Sequence, residues 1–353
     1  MHSHITIKIC HTRSIKLNTN NYFRMKNPLV ISFLFIVLNC SCNNKTNDPQ
    51  INPKDTTTNQ VDKSYNIDIK DFKMRDPFVF VDTISKKYYI PASSGDNQSF
   101  TMYESKDLMK WKSLGKKFIA SQTFWGKLDF WAPDMFEYKG KYYITATFSA
   151  SNVNRACGIL VSDSPDGPYL PLVNNPITPT NWHCLDATIY IDNGQPYLLY
   201  CREWLEVVDG QIYIQKLSDD LSKTVGDPQL LFSATSASWV GSITSGNGIT
   251  GQVTDAPFIY KTSENKLIMI WSSFAKSNGK YSIGLARSTS GLITGPWVQD
   301  PNPLNNDDGG HAMIFKSLDG KIKISYHSPN TYPNYVTIYD LDLYQGNVTI
   351  INQ

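Results

Sequence analysis

A chain of 353 residues, 41% hydrophobic and 12% aromatic, has apolar material for a large core, and a formal net charge of +2 with both signs interspersed gives no basic field for a nucleic-acid partner. Clustered Lys/Arg runs are missing, which excludes DNA or RNA as the main ligand. Six cysteines, three of them before residue 43, are too few and too scattered for a disulfide framework.

The first element in chain order is an export signal. Met25-Lys26-Asn27 precedes the apolar stretch 28–38 and then Asn39-Cys40-Ser41-Cys42. That stretch is about half of the ~20 residues a spanning helix needs. A cysteine at its end resembles a bacterial lipoprotein cleavage site. Cys42, after the small Ser41, is better placed for lipidation than Cys40, which follows Asn39. Met25 reads as the start of the signal and residues 1–24 as an upstream extension. Residues 1–42 are therefore expected to send the protein to the bacterial cell envelope as a periplasmic or outer-membrane lipoprotein, touching membrane only through the lipid. Residues 43–64, rich in Asn, Thr, Asp, Lys and Gln, bury too little surface to order themselves and read as a flexible tether. From 65 to 353 no linker-like composition intervenes, which predicts one domain.

Within that domain one pattern returns five times. Its openings are Arg75-Asp76-Pro77-Phe78-Val79-Phe80, Ala132-Pro133-Asp134-Met135-Phe136, Leu185-Asp186-Ala187-Thr188-Ile189-Tyr190, Thr254-Asp255-Ala256-Pro257-Phe258-Ile259 and Gly310-His311-Ala312-Met313-Ile314. Successive ionisable residues lie 58, 52, 69 and 56 positions apart. Each opening starts an apolar run that reaches a turn (Lys139-Gly140, Asn193-Gly194, Asp319-Gly320), and a second β-rich run follows. No sustained 3.6-residue apolar period is present. An all-β repeat of this length predicts a five-bladed β-propeller. The last blade looks short of a strand, and the stretch near 65–69 is expected to supply it. Cys184 and Cys201 fall on adjacent strands of one blade, either bonded or as two buried thiols.

In a propeller the starts of all inner strands and the ends of all second strands share one face. Asp76, Asp134, Asp186, Asp255 and His311 belong to the first group, and Glu203, at the end of Tyr200-Cys201-Arg202-Glu203-Trp204, to the second. An Asp that opens a strand commonly just caps backbone N–H groups. Four in register are better explained by carboxylates converging on a sugar-sized pocket, where one protonates a leaving oxygen and another activates water. Like charges close together push their pKa values apart and so separate acid from base.

On Arg75-Asp76-Pro77, Trp131-Ala132-Pro133-Asp134 and Leu185-Asp186-Ala187-Thr188, the chain from about residue 70 to 330 resembles family 43 of the glycoside hydrolases. The resemblance implies an inverting enzyme acting on arabinose- or xylose-containing glycans. It implies Asp76 as general base, Asp186 as the residue that tunes and orients the acid, and His311 lining the axial channel. The family's acid is a fourth-blade Glu, where this chain has Asp255, one methylene shorter. Alignment favours Asp255 as acid, reach and residue type favour Glu203, and Glu203 stands slightly ahead. No cofactor is implied; a calcium or sodium ion near His311 is an open addition, and spacing alone builds no metal site.

Trp131, Trp182 and Trp204 lie near blade openings, where aromatic faces can stack on a sugar ring, and Arg75 and Arg202 can bind hydroxyls or hold carboxylates. Trp111, Trp271 and Trp297 occupy repeated positions and should be structural. The expected activity is release of arabinofuranosyl units, with β-xylosidase and β-galactofuranosidase as alternatives within the family. A carbohydrate-binding propeller without turnover is the alternative from another class. Fructan-cleaving hydrolases and sialidases lose on motifs, since the Trp-Met-Asn-Asp-Pro run and repeated Asp boxes are missing.

Overall fold

The apolar runs pair as hairpins because their turns carry residues that take positive φ, as at Lys139-Gly140 (52° and 76°) and Asn193-Gly194 (50° and 86°). The computed structural model describes residues 62–344 and 346–351. The export signal, both candidate lipidation cysteines and nearly all of the tether lie outside the described residues.

Five antiparallel sheets follow one another along the chain, each hydrogen-bonded in sequence order. The first contains Phe80–Asp82, Lys87–Ser93, Ser99–Ser105 and Lys110–Ile119. The second contains Leu128–Tyr138, Lys141–Ala150, Val153–Ser162 and Leu170–Pro171, and the third Cys184–Asp192, Gln195–Arg202, Gln211–Leu217 and Thr224–Ser233. Asp255–Lys261, Leu267–Phe274, Tyr281–Ser288 and Trp297–Gln299 form the fourth. Gly310–Lys316, Ile322–Ser328, Tyr335–Asp342 and Thr349–Ile351 form the fifth. Inner strands of neighbouring blades touch around the ring, except that Lys87–Ser93, the second strand of the first blade, meets Leu128–Tyr138 of the second, and this makes a five-bladed β-propeller. Helix among the described residues is limited to the turn Trp204–Val207 and two 3-10 turns.

Blade stacking explains the patterning. Second strands are covered on both faces, so Tyr143 to Phe148 and Leu267 to Ser273 are buried without alternation. Outer strands such as Lys110–Ile119 alternate, because one face meets solvent. Between the first two blades Phe100, Phe118, Phe124, Phe130 and Phe148 form an aromatic core, with Phe130 and Phe148 edge to face at 4.9 Å. Truncating one such ring to Ala costs about 3–5 kcal/mol. Trp111, Trp271 and Trp297 are buried in the blades. Cys157, Cys184 and Cys201 are buried free thiols.

Ring closure differs from the expectation. Ile67–Asp68 pairs with Trp111 and Lys110 on the outer edge of the first blade, and the last blade has its own fourth strand, Thr349–Ile351. The ring is fastened instead by residues 72–74: Val336 N–H donates to the Phe72 carbonyl (2.9 Å) and Met74 N–H to that of Asn334 (3.0 Å). Ser325 Oγ adds a 2.8 Å hydrogen bond to the Pro77 carbonyl. Apolar side chains drive the closure, since Phe72 and Met74 bury against Met313, Phe315 and Val336.

Candidate active site

Four inner strands open with a two-residue bulge, at 132–133, 186–187, 256–257 and 311–312. The first residue of each bulge, and Asp76 at the same place in the first blade, has a left-handed backbone: φ is 55° at Asp76, 45° at Ala132, 53° at Asp186, 50° at Ala256 and 55° at His311. A non-glycine residue there costs about 1–3 kcal/mol, and such strain gathers at functional sites. Asp76, Ala132, Asp186 and His311 line the central cleft from these positions.

The structural register therefore runs Asp76, Ala132, Asp186, Ala256, His311. Asp134 lies two residues beyond its blade's bulge position and Asp255 one before, so four carboxylates do not occupy equivalent sites as the spacing suggested. Four of these five N–H groups are met by a neighbour across a blade boundary. Asp186 N–H donates to Thr147 Oγ1 (3.0 Å), His311 N–H to Ser272 Oγ (2.9 Å) and Asp76 N–H to His327 Nδ1 (3.3 Å). Thr147, Ser272 and His327 hold matching places on second strands, each opposite the residue before its own blade's bulge. The corresponding residue of the third blade is Cys201, and there Asp186 Oδ2 itself accepts the Ala256 N–H at 3.1 Å.

These openings surround a cleft of about 770 Å³ lined by Arg75, Asp76, Trp131, Asp186, Asp255 and His311. His311 Nδ1 stands 3.2 Å from Asp76 Oδ1 and 3.6 Å from Asp186 Oδ2. Arg75 Nε is 3.5 Å from Asp76 Oδ1, and its Nη1 donates to Asn330 Oδ1 at 2.9 Å. Tyr281 Oη donates to Asp255 Oδ2 at 2.8 Å. Asp134 lies beneath this floor, beside a water-sized void it shares with His311 and Ala256.

The electrostatics split the carboxyl groups. Burial works against ionisation of Asp76, but His311, His327 and Arg75 outweigh it and hold Asp76 well below the ordinary carboxylate range. Burial pushes Asp186 well above that range, and the charges of Asp255 and Asp76 add to the shift. Burial also pushes Asp255 up to about 6, against the Tyr281 hydroxyl and Arg75, which favour its ionised form. Asp134 is raised by burial and by Asp76. His311 is pushed down to about 4 by burial, so its charge acts on Asp76 only in acid, and near neutral pH Arg75 is the cation beside Asp76.

Glu203 is buried on the flank of the cleft. Its Oε1 accepts from Arg155 Nη1, Arg155 Nε reaches Asp129 Oδ2 at 3.2 Å, and the guanidinium lies 4.5 Å from the ring centre of Trp131. Trp131 is 40% exposed and presents an aromatic surface to the cleft. Arg202, Trp182 and Trp204 are not among the residues that line the cleft. Arg202 pairs with Glu206 and stacks 4.2 Å over Trp182, and the Trp204 ring packs close to Gly251. Among the described residues no group of three or more His, Cys, Asp or Glu side chains is arranged to hold a metal ion. His311 Nδ1 faces the carboxylates of Asp76 and Asp186.

Sequence reasoning missed Arg155, Tyr281, His327 and Asn330. Tyr281 and His327 sit inside ordinary-looking strands, and nothing local marks them. Ala132 and Ala256 did carry a signal, a small or ionisable residue followed by Pro or Ala that recurs in all five openings.

The "Glycosyl hydrolases family 43" profile matches residues 65–348. An extracellular exo-α-(1→5)-L-arabinofuranosidase of Cellvibrio japonicus is 24% identical over 249 residues, 66% of this chain and 69% of the relative. The crystal structure of an endo-arabinase from Bacteroides thetaiotaomicron is 54% identical with a TM-score of 0.78, covering 80% of this chain and 99% of that one. An endo-1,4-β-xylanase structure from the same organism is 26% identical with a TM-score of 0.65, covering 80% and 95%. A cleft of unequal carboxyl groups at the axis of a five-bladed propeller accords with these likenesses: the chain belongs to glycosyl hydrolase family 43, and it is a glycosidase acting on carbohydrate.

Proposed function

We propose that the protein is an inverting hydrolase that releases arabinofuranosyl units from arabinan-type glycans, with xylosides as the weaker substrates. One observation carries this reading: a single cleft faces one carboxylate held ionised and two carboxyl groups held toward the protonated form. Asp76 is the base. It takes a proton from water as the water oxygen attacks the anomeric carbon. Asp255 is the acid, giving its proton to the leaving oxygen as the glycosidic bond breaks. Asp186, tied to Ala256 N–H and close to His311, orients the acid's strand and sets its protonation.

Asp255 is preferred over Glu203 on position. Asp255 lines the cleft, whereas Glu203 is engaged by Arg155 at its side. The arabinan preference draws on the 54% identical endo-arabinase and on the curated arabinofuranosidase. Export as a lipoprotein through Cys42, or Cys40, completes the proposal and fits the extracellular relative.

The test is hydrolysis of nitrophenyl α-L-arabinofuranoside, nitrophenyl β-D-xyloside and linear and branched arabinan, with the first-formed product anomer followed by NMR. Release of arabinose of inverted configuration supports the proposal. Retention of configuration, or turnover of xylosides alone, sinks it. Binding of arabinan without turnover would favour the non-catalytic reading, for which the shortened Asp255 is the motive.

A further inference from the structure

An acid one methylene shorter than its family counterpart must be carried to the leaving oxygen by something outside its own side chain. Asp255 directly precedes a left-handed residue, Ala256, and its Oδ2 accepts the Tyr281 hydroxyl at 2.8 Å. Tyr281 is fully buried. Its ring stacks on His327 at 5.7 Å and 20°, and its N–H donates to Asp308 Oδ1 at 3.0 Å. Gly310 closes the seat, because a Cβ there would lie 2.3 Å from the Tyr281 ring. The fifth blade thus clamps a phenol of the fourth blade against the fourth blade's own acid.

We propose that Tyr281 is the positioning residue for the shortened acid: it pins Asp255 Oδ2, so that the transferable proton sits on Oδ1 and the carboxyl group is fixed where the leaving oxygen arrives. The inference rests on the reading of Asp255 as acid. The proton passes from Oδ1 to the leaving oxygen as the carbon–oxygen bond breaks, and Tyr281 keeps its own proton throughout. Burial and the Asp255 charge raise the phenol well above its ordinary value, so it stays a donor. The titratable and charged groups around Asp255 are Tyr281, Arg75 and Asp76, with Asp186, Cys201 and Glu203 from the third blade. Of these, Tyr281 is the one that donates a hydrogen bond to the carboxyl group.

The experiment compares the intact protein with Tyr281→Phe on arabinan and on dinitrophenyl α-L-arabinofuranoside, whose leaving group departs without an acid. Tyr281→Phe should lower kcat on arabinan about ten- to a hundredfold with KM nearly unchanged, and leave the activated substrate close to wild type. The hydroxyl favours ionised Asp255, so its loss should move the alkaline limb of the arabinan pH profile upward. Gly310→Ala, which drives a methyl group into the same ring with the hydroxyl intact, should give the same leaving-group-selective loss. Equal losses on both substrates, or an unmoved limb with full arabinan turnover, would overturn the proposal. Asp255→Asn separates the two layers. If it keeps arabinan turnover, the acid assignment itself is wrong. If it loses arabinan alone while Tyr281→Phe behaves as wild type, only the Tyr281 role fails. The double variant should be no slower than Asp255→Asn, since two residues acting as one unit do not add.

Discussion

Replacing Arg155 with Met tests whether the wall of the cleft is a structural ion network or a loose surface contact. Arg155 holds Glu203 and Asp129 together, with 18% of its own side chain exposed, 8% of that of Glu203 and 22% of that of Asp129. Asp129 keeps a 2.7 Å hydrogen bond from Ser149 Oγ after the substitution, but Glu203 loses its ion-pair partner. Breaking a buried pair from one side costs roughly 3–5 kcal/mol, and the residual exposure of Arg155 places the loss near the lower end. For a domain of this size about 2–4 °C of Tm follow each kcal/mol, so a drop of roughly 6–12 °C is expected in a thermal scan near pH 7. Trp131 loses the guanidinium that braces one face, and KM for arabinan should rise severalfold with little change in kcat. Adding Glu203→Gln should recover at least half of the lost Tm, because the uncompensated charge goes with it. A single variant that melts within a degree or two of wild type, or a double variant no more stable than the single one, would refute the reasoning.

Two further outcomes follow from the carboxyl groups. With Asp255 as the acid, held up to about 6, kcat/KM should fall as pH rises through that value, and Asp255→Asn should remove this limb from the profile. Asp134 has a folded pKa raised above its unfolded value, so its favourable effect on stability is complete below about pH 4 and is lost as pH rises toward the folded value. Asp134→Asn should therefore raise Tm near pH 7, with the gap closing toward about pH 4 in a series of thermal scans.

The blades were legible because their strands are buried on one or both faces, and burial writes itself into apolar runs and Gly-bearing turns. Asp76, Asp186 and His311 were legible for the same reason, since each directly precedes such a run. The exact register was not. Aligning charged residues placed Asp134 and Asp255 with them, whereas the backbone aligns Ala132 and Ala256, because the bulge is defined by φ rather than by charge. Arg155, Tyr281 and His327 reach the site from second and third strands, where an inward polar side chain looks like any other strand residue. The fastening of the ring by residues 72–74 depends on a neighbour more than 250 positions away, which no local pattern reports.

The most direct measurement is turnover and binding by Asp76→Asn. If Asp76 activates the attacking water, kcat on arabinan should fall by about 10²–10⁴ while calorimetric affinity for an arabino-oligosaccharide stays near wild type and the variant remains folded at the assay temperature, with a lowered Tm because the ionised carboxylate is stabilised by its neighbours. A variant that still turns over at the wild-type rate would contradict the account at its root.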